Sequence, residues 1–383
     1  MGKRWCRMND SLIVKEFIEL VKIDVQSRNE RKIADVLKNK LTELGLTVTE
    51  DDVAAKLDGN TGNIIARLQG EPDIPAVLLS AHIDRVANPG NITPVLHEDT
   101  GLITSDGNSI LAADNISGVC AILDGIRKVK AANLLHGDIE VVLSVCEEIG
   151  VAGAGNLDYK QLTAKLAYVF DAPGRIGRII KQAPTKYKIK IGVKGRSAHA
   201  GNEPEKGLNA IRVAAVALSR IPEGRISANT TANFGSFHGG NSTNVVCDYA
   251  EIIGEARSTS EQEMEKYLAE VKQTFAAVAA EYQTEIDVNA QALYHTFLIN
   301  ENDAVAQIAV RAMNNIGVEP VFTAGGGGMD GNHFNANGID AIGIALGYSK
   351  NHTPAEQIII ADMVKCGELV KELVKEVAFS TKR

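Results

Sequence analysis

At 383 residues the chain exceeds what a single core usually serves, so two domains are expected. A formal net charge of -8, with 45% hydrophobic and 23% charged residues, suits a water-soluble enzyme and argues against a nucleic-acid partner. The five cysteines (Cys6, Cys120, Cys146, Cys247, Cys366) are scattered without a Cys-x-x-Cys pair, which speaks against a disulfide framework or a thiolate zinc site and for reduced, cytoplasmic thiols.

Met1-Gly2-Lys3-Arg4 resembles the start of a signal peptide, but Asp10, Lys15, Glu16 and Glu19 interrupt any apolar core. Gly2 fails the myristoylation pattern because Cys6 stands where Ser or Thr is needed. No stretch is apolar enough to span a membrane. A soluble, unexported protein is expected.

Apolar spacing predicts helices over 11–22 and 30–44, the second closed by Gly45. Short strands follow near 47–49 and 63–67, then an apolar run over 76–79 that reads as a buried parallel strand. His82 and Asp84 come just past it, where a strand's carboxyl end opens into the usual ligand crevice of an α/β sheet. The pair suits a metal ligand with its orienting carboxylate, and it equally suits an ordinary hydrogen-bond network.

Residues 93–108 read as a hairpin, and a helix is expected from about 111 to 129. Asp114 at its start is either an N-cap or a metal-bridging carboxylate. A second buried strand, 139–145, ends in Glu147-Glu148, whose carboxylates need a partner or a metal if the strand is central. A third, 167–170, ends at Asp171, which by itself is an ordinary turn residue.

After about residue 178 the pattern changes. Strands near 187–193, 230–237, 244–257 and 285–290, with helices over 206–219 and 262–281, give the βαββαβ order of a ferredoxin-like domain inserted into the first. The α/β alternation then resumes with a helix over 303–316 and strands near 321 and 341–345. Residues 324–331 are glycine-rich without a phosphate-binding motif, so they read either as a flexible turn or as backbone brought close to a substrate. His352 precedes a last helix ending near 377.

These polar residues at element ends supply imidazoles and carboxylates in the mix preferred by zinc and similar ions. His-x-Asp, Ala-Asp-Asn-x-x-Gly, Glu-Glu, Asp-Ala-Pro-Gly, Gly-Arg-Ser-Ala-His-Ala-Gly and the final His resemble, in this order, the motifs of the M20 metallopeptidases, most closely their peptidase T-like branch. The resemblance implies an α/β, zinc-exopeptidase-like catalytic domain, a central mixed sheet flanked by helices, formed by residues 1–180 and 293–383. An inserted ferredoxin-like α+β dimerisation or lid domain would occupy 181–292 and make a homodimer.

It further implies two divalent ions per subunit, zinc or else cobalt or manganese, bridged by Asp114. His82 and Asp171 would complete one site, Glu148 and His352 the other, with Asp84 orienting His82 and Glu147 as general base. His199 would donate to a substrate carbonyl, and Asn244 and Arg257 would hold the substrate. The implied activity is an aminopeptidase acting on short peptides. The alternatives are a carboxypeptidase or N-acyl-amino-acid deacylase of the same family, or a peptide-binding protein that keeps only the fold. Arg85 in place of a common Thr, Asn115 in place of a frequent Asp and Ile116 in place of a frequent Lys are expected to alter the pocket's electrostatics.

Overall fold

A computed structural model describes residues 11–87 and 91–380. The amino-terminal reading, with Gly2 and Cys6, lies outside the described residues. Pro184–Thr296 forms one compact unit, and the described residues on either side of it form the other.

The first unit is built on a nine-stranded mixed sheet. Val77–His82 lies between Ile139–Ser144 and Leu166–Ala172 and is parallel to both, and Asp340–Ala345 continues the parallel set. Ile64–Leu68 runs antiparallel on one flank and Arg178–Ala183 on the other. The four parallel strands therefore bring their carboxyl ends to one edge of the sheet.

Every residue of Val77–His82 and of Ile139–Ser144 is buried, as expected for strands covered on both faces. The first strand runs past the apolar stretch that marks it in the sequence. Ser80 can stay in the buried strand because its hydroxyl donates to Asp330 Oδ2 at 3.1 Å, the oxygen that Ser144 also reaches at 2.6 Å.

The helix Ala113–Ala131 packs on this sheet through Gly118. A Cβ there would stand 2.2 Å from the Phe170 carbonyl oxygen, so only glycine allows this approach. The expected hairpin, Pro94–His97 with Leu102–Ser105, gains two more strands from the far end of the chain, Gln357–Ile359 and Tyr348–Ser349. His352 lies in the loop between those last two strands.

The second unit has the ferredoxin-like order. Thr230–Gly239, Tyr249–Ser258, Thr185–Lys194 and Ile286–Tyr294 lie side by side, each antiparallel to its neighbour, with the short Gly224–Arg225 strand at one edge. Ile189, Ile191 and Val193 alternate inward, with exposed Lys190 and half-buried Gly192 between them, and Tyr267, Val271, Phe275 and Val278 form the buried stripe of the Glu261–Glu281 helix. Ser260 caps that helix by accepting the Glu263 N–H. No helix among the described residues is long and apolar enough to cross a membrane.

Candidate metal centre

His82 is the last residue of its strand and only 2% exposed. Its Nδ1 lies 3.0 Å from the Asp84 carbonyl oxygen and 3.3 Å from Asp84 Oδ1. An Nδ1–H donated to that carbonyl leaves Nε2 as the free nitrogen, and Nε2 faces Asp114 Oδ1 at 3.1 Å and Asp171 Oδ1 at 3.3 Å.

Asp114 does not act as a helix cap. The Ala113–Ala131 helix starts without a side-chain cap, and the non-helical backbone of Asp114 (φ -82°, ψ 100°) turns its carboxylate elsewhere. Oδ1 meets His82, while Oδ2 lies 3.3 Å from His352 Nε2 and accepts from Asn351 Nδ2 at 2.8 Å. His352 Nε2 is also 3.0 Å from Glu148 Oε1.

Glu147 and Glu148 leave the sheet in a turn at Cys146, whose φ is +54°. Asp84 fixes both: Oδ1 accepts Glu147 N–H at 2.9 Å and Oδ2 accepts Glu148 N–H at 3.2 Å. Ser27 Oγ donates to the same Oδ2, and Glu30 Oε1 accepts Cys146 N–H. Adjacent side chains thus leave one turn in different directions, with Glu148 on His352 and Glu147 half-buried beside it.

The protein's own charges set the protonation pattern. Burial opposes a charged His82, but Asp171, Asp114 and Asp84 outweigh it and hold its pKa well above the usual imidazole value. Hydrogen bonds to Asp114 and Glu148 push His352 up to about 10. Burial likewise opposes the Asp114 charge, and His352 and His82 overcome it, holding that carboxyl below its ordinary range. Burial raises Asp171 to about 7 against His82, and it raises Glu147 well above the usual carboxylate value, with Asp171, Glu148 and Asp330 adding and His82 opposing. A divalent cation would replace the imidazole protons and draw these carboxyls back to the ionised form.

The donor set fits such a cation. Ligand atoms of His82, Asp114 and Glu148 all lie within 4.8 Å of one another. With Asp171 and His352 the cluster offers two imidazoles and three carboxylates, a set suited to zinc and its neighbours.

His199, Asn244 and Arg257 lie in the second unit, where the structure brings the first two together. Ala200 N–H donates to the Asn244 carbonyl, and His199 pairs with Val245 in an isolated bridge. His199 is exposed, and its Nδ1 accepts N–H bonds from Gly201 and Asn202 at 3.2 and 3.1 Å. A neutral ring therefore carries its proton on Nε2, which is left as a donor. Asn244 lies in a turn before the Tyr249–Ser258 strand, not within it, and Arg257 Nε donates to Glu255 at 2.7 Å.

A family model described as peptidase dimerisation domain (M20) matches residues 186–283, and one for peptidase family M28 matches 63–193. The uncharacterized protein YqjE of Bacillus subtilis is 38% identical over 97% of this chain and 100% of its own. Aminopeptidase PepT from Bacillus cereus is 39% identical with a TM-score of 0.86, covering 96% of this chain and 98% of that one. A tripeptidase from Staphylococcus aureus is 35% identical with a TM-score of 0.89 and the same coverage. Peptidase T of Clostridium botulinum is 27% identical over 95% of this chain and 98% of its own.

The chain belongs to the M20 metallopeptidase family, in its peptidase T-like branch. It is a hydrolase of peptide bonds.

Arg85 does not act as its position in the sequence suggests. It is 4% exposed and turns away from the ligand cluster: Nε donates to the Val25 carbonyl, Nη1 to that of Val21, and Nη2 meets Asp24. The carbonyls after the Leu12–Leu20 helix take up its charge, which corrects the expectation that it modifies the pocket. Asn115 is buried, and neither of its amide atoms has a hydrogen-bond partner among the described residues. Sequence reasoning missed Ser27, Glu30, Asn351 and Asp330. Only Asn351, next to His352, had a signal that could have revealed it.

Proposed function

We propose that this protein is a dinuclear metal-dependent aminopeptidase that releases the amino-terminal residue of short peptides, tripeptides among them. One observation carries the reading: the two oxygens of Asp114 lie 3.1 and 3.3 Å from the Nε2 atoms of two different histidines, His82 and His352. In this reading Asp114 would serve two ions, zinc or else cobalt or manganese, with His82 and Asp171 holding one and Glu148 and His352 the other. Such ions would supply Lewis acidity, polarising the scissile carbonyl and lowering the pKa of water.

The chain's own groups do the rest. Glu147 takes a proton from the attacking water on its carboxylate and returns it to the leaving amine. Asp84 orients His82 and, through two backbone N–H bonds, keeps Glu147 and Glu148 in register. In the second unit, His199 would act by donating its Nε2–H to a carbonyl oxygen of a substrate, and Arg257 and Asn244 by holding a substrate, roles carried over from the family resemblance.

The names of the relatives (aminopeptidase, tripeptidase, Peptidase T) support a free amino terminus over an acylated substrate. The catalytic domain in this reading is the unit on either side of Pro184–Thr296, and Pro184–Thr296 is the dimerisation domain of a homodimer, its limits three or four residues past the 181–292 expected from the sequence; the match to a peptidase dimerisation model supports this. Four buried free cysteines among the described residues support a reducing, cytoplasmic setting.

The test is hydrolysis of di- and tripeptides, free and N-acetylated, with added Zn²⁺, Mn²⁺ or Co²⁺ and a chelator control, read by mass spectrometry. Release of the first residue from free tripeptides is expected. Cleavage of blocked substrates alone would move the protein to the deacylases, and no metal-dependent cleavage of either would overturn the reading.

A further inference from the structure

The segment Leu111–Asp114 presents a carboxylate to two histidines, yet it has little of its own to hold it in place. Ala112 sits at φ +60°, a left-handed conformation unfavourable for a residue with a Cβ, and it offers no side-chain cap to the helix that follows. The first N–H groups of a helix have no partner within it, and buried ones must find an acceptor elsewhere.

That acceptor comes from the opposite end of the sequence. Glu356, 1% exposed, takes Leu111 N–H and Ala112 N–H on Oε2, both at 2.8 Å, and Asp114 N–H on Oε1 at 2.9 Å. A carboxylate accepting three backbone N–H groups at a helix start is favoured both by charge-assisted hydrogen bonding and by the helix dipole. Glu356 closes the loop that carries Asn351 and His352, just before the Gln357–Ile359 strand. Asn351 Nδ2 makes a second tie between the same two segments, at 2.8 Å on Asp114 Oδ2.

The geometry points to Glu356 as a positioning residue of the metal centre, one that clamps the Asp114 segment against the His352 loop and so sets how tightly the ion between Asp114, Glu148 and His352 is held. The inference rests on the two-ion reading above. His82 and Asp171 stand on sheet strands and keep their places without Glu356, whereas His352 stands in a loop outside the strands. Loosening the clamp therefore weakens one ion more than the other. Residues that orient ligands in this way typically change metal affinity 10–100-fold on mutation.

The experiment is a Co²⁺ titration of the metal-free, full-length chain, followed by visible absorption and chelator competition, for wild type and Glu356→Gln. The glutamine keeps the volume but turns an NH₂ group toward a backbone N–H. The expected result is two ions in wild type and a second ion bound about 10–100-fold more weakly in the variant, with the near-ultraviolet circular dichroism of the apo protein unchanged. Wild-type affinity at both sites of the variant overturns the inference, as does equal weakening of both. A wild-type chain that binds no Co²⁺ instead overturns the two-ion reading itself. Glu356→Asp, which keeps the charge but withdraws it by one carbon–carbon bond, serves if the glutamine variant does not fold, with the same expectation. Fast exchange of the Leu111, Ala112 and Asp114 amide hydrogens in the wild-type protein would independently overturn the clamp.

Discussion

Asp84 and Glu147 are joined through the backbone: Asp84 Oδ1 accepts the Glu147 N–H at 2.9 Å, and the same oxygen lies 3.3 Å from His82 Nδ1. One carboxylate therefore orients an imidazole and sets the position of the proposed base. In Asp84→Asn only one of the two oxygens remains, so either the Glu147 or the Glu148 N–H faces an NH₂ group. We expect a fall in kcat/KM of about 10–100-fold with weaker metal retention, checked by steady-state kinetics alongside metal analysis.

Glu147→Gln removes the proton acceptor while leaving the ligand cluster whole. Peptide hydrolysis should fall by about 10²–10⁴-fold while two ions remain bound, read by tripeptide turnover and metal content on the same sample. Activity within a few-fold of wild type would reassign the base.

Gly118→Ala tests how the Asp114 helix is seated. The added Cβ would meet the Phe170 carbonyl oxygen at 2.2 Å, and backbone cannot swing aside as a side chain can. A loss of about 1–3 kcal/mol is expected from urea unfolding of the metal-free protein, because the helix must lift from the sheet.

Glu50 carries a pH signature of its own. Burial opposes its charge, but Arg31, Lys38, Gly62 and Thr61 outweigh that and hold its carboxyl far below the usual value of 4.5. A depressed folded-state pKa contributes stability that is present above the unfolded value and is lost as pH falls toward the folded one. Glu50→Gln should therefore cost about 1–2 kcal/mol at neutral pH, and its deficit against wild type should shrink as the pH drops below about 4.5. Urea midpoints of the metal-free proteins between pH 7 and 3 check this, and a deficit independent of pH would contradict it.

The parallel strands were legible because burial on both faces demands an unbroken apolar run, and the polar residues just beyond each run marked the sheet edge where ligands gather. The ferredoxin-like order was legible from period-two alternation, as in Ile189, Ile191 and Val193. Long-range polar pairing was not legible. Glu356 finds Asp114 across 242 positions, and Asp330 finds Ser80 across 250, so no local pattern announces either. Arg85 misled because sequence adjacency to Asp84 says nothing of direction: successive residues of extended chain point to opposite sides, and its guanidinium found carbonyls near the first helix.

The position of Asp340–Ala345 between Leu166–Ala172 and Arg178–Ala183 governs the order of assembly during synthesis. A growing chain cannot close its central sheet until that late strand has been made, and Asp114 has no second imidazole until His352 follows. Pro184–Thr296, by contrast, is contiguous and contains every strand of its own sheet, so it can fold first. A chain made in this order can have its insert folded before the cluster of the proposed metal centre is complete, and one broken off before His352 lacks that cluster's second imidazole.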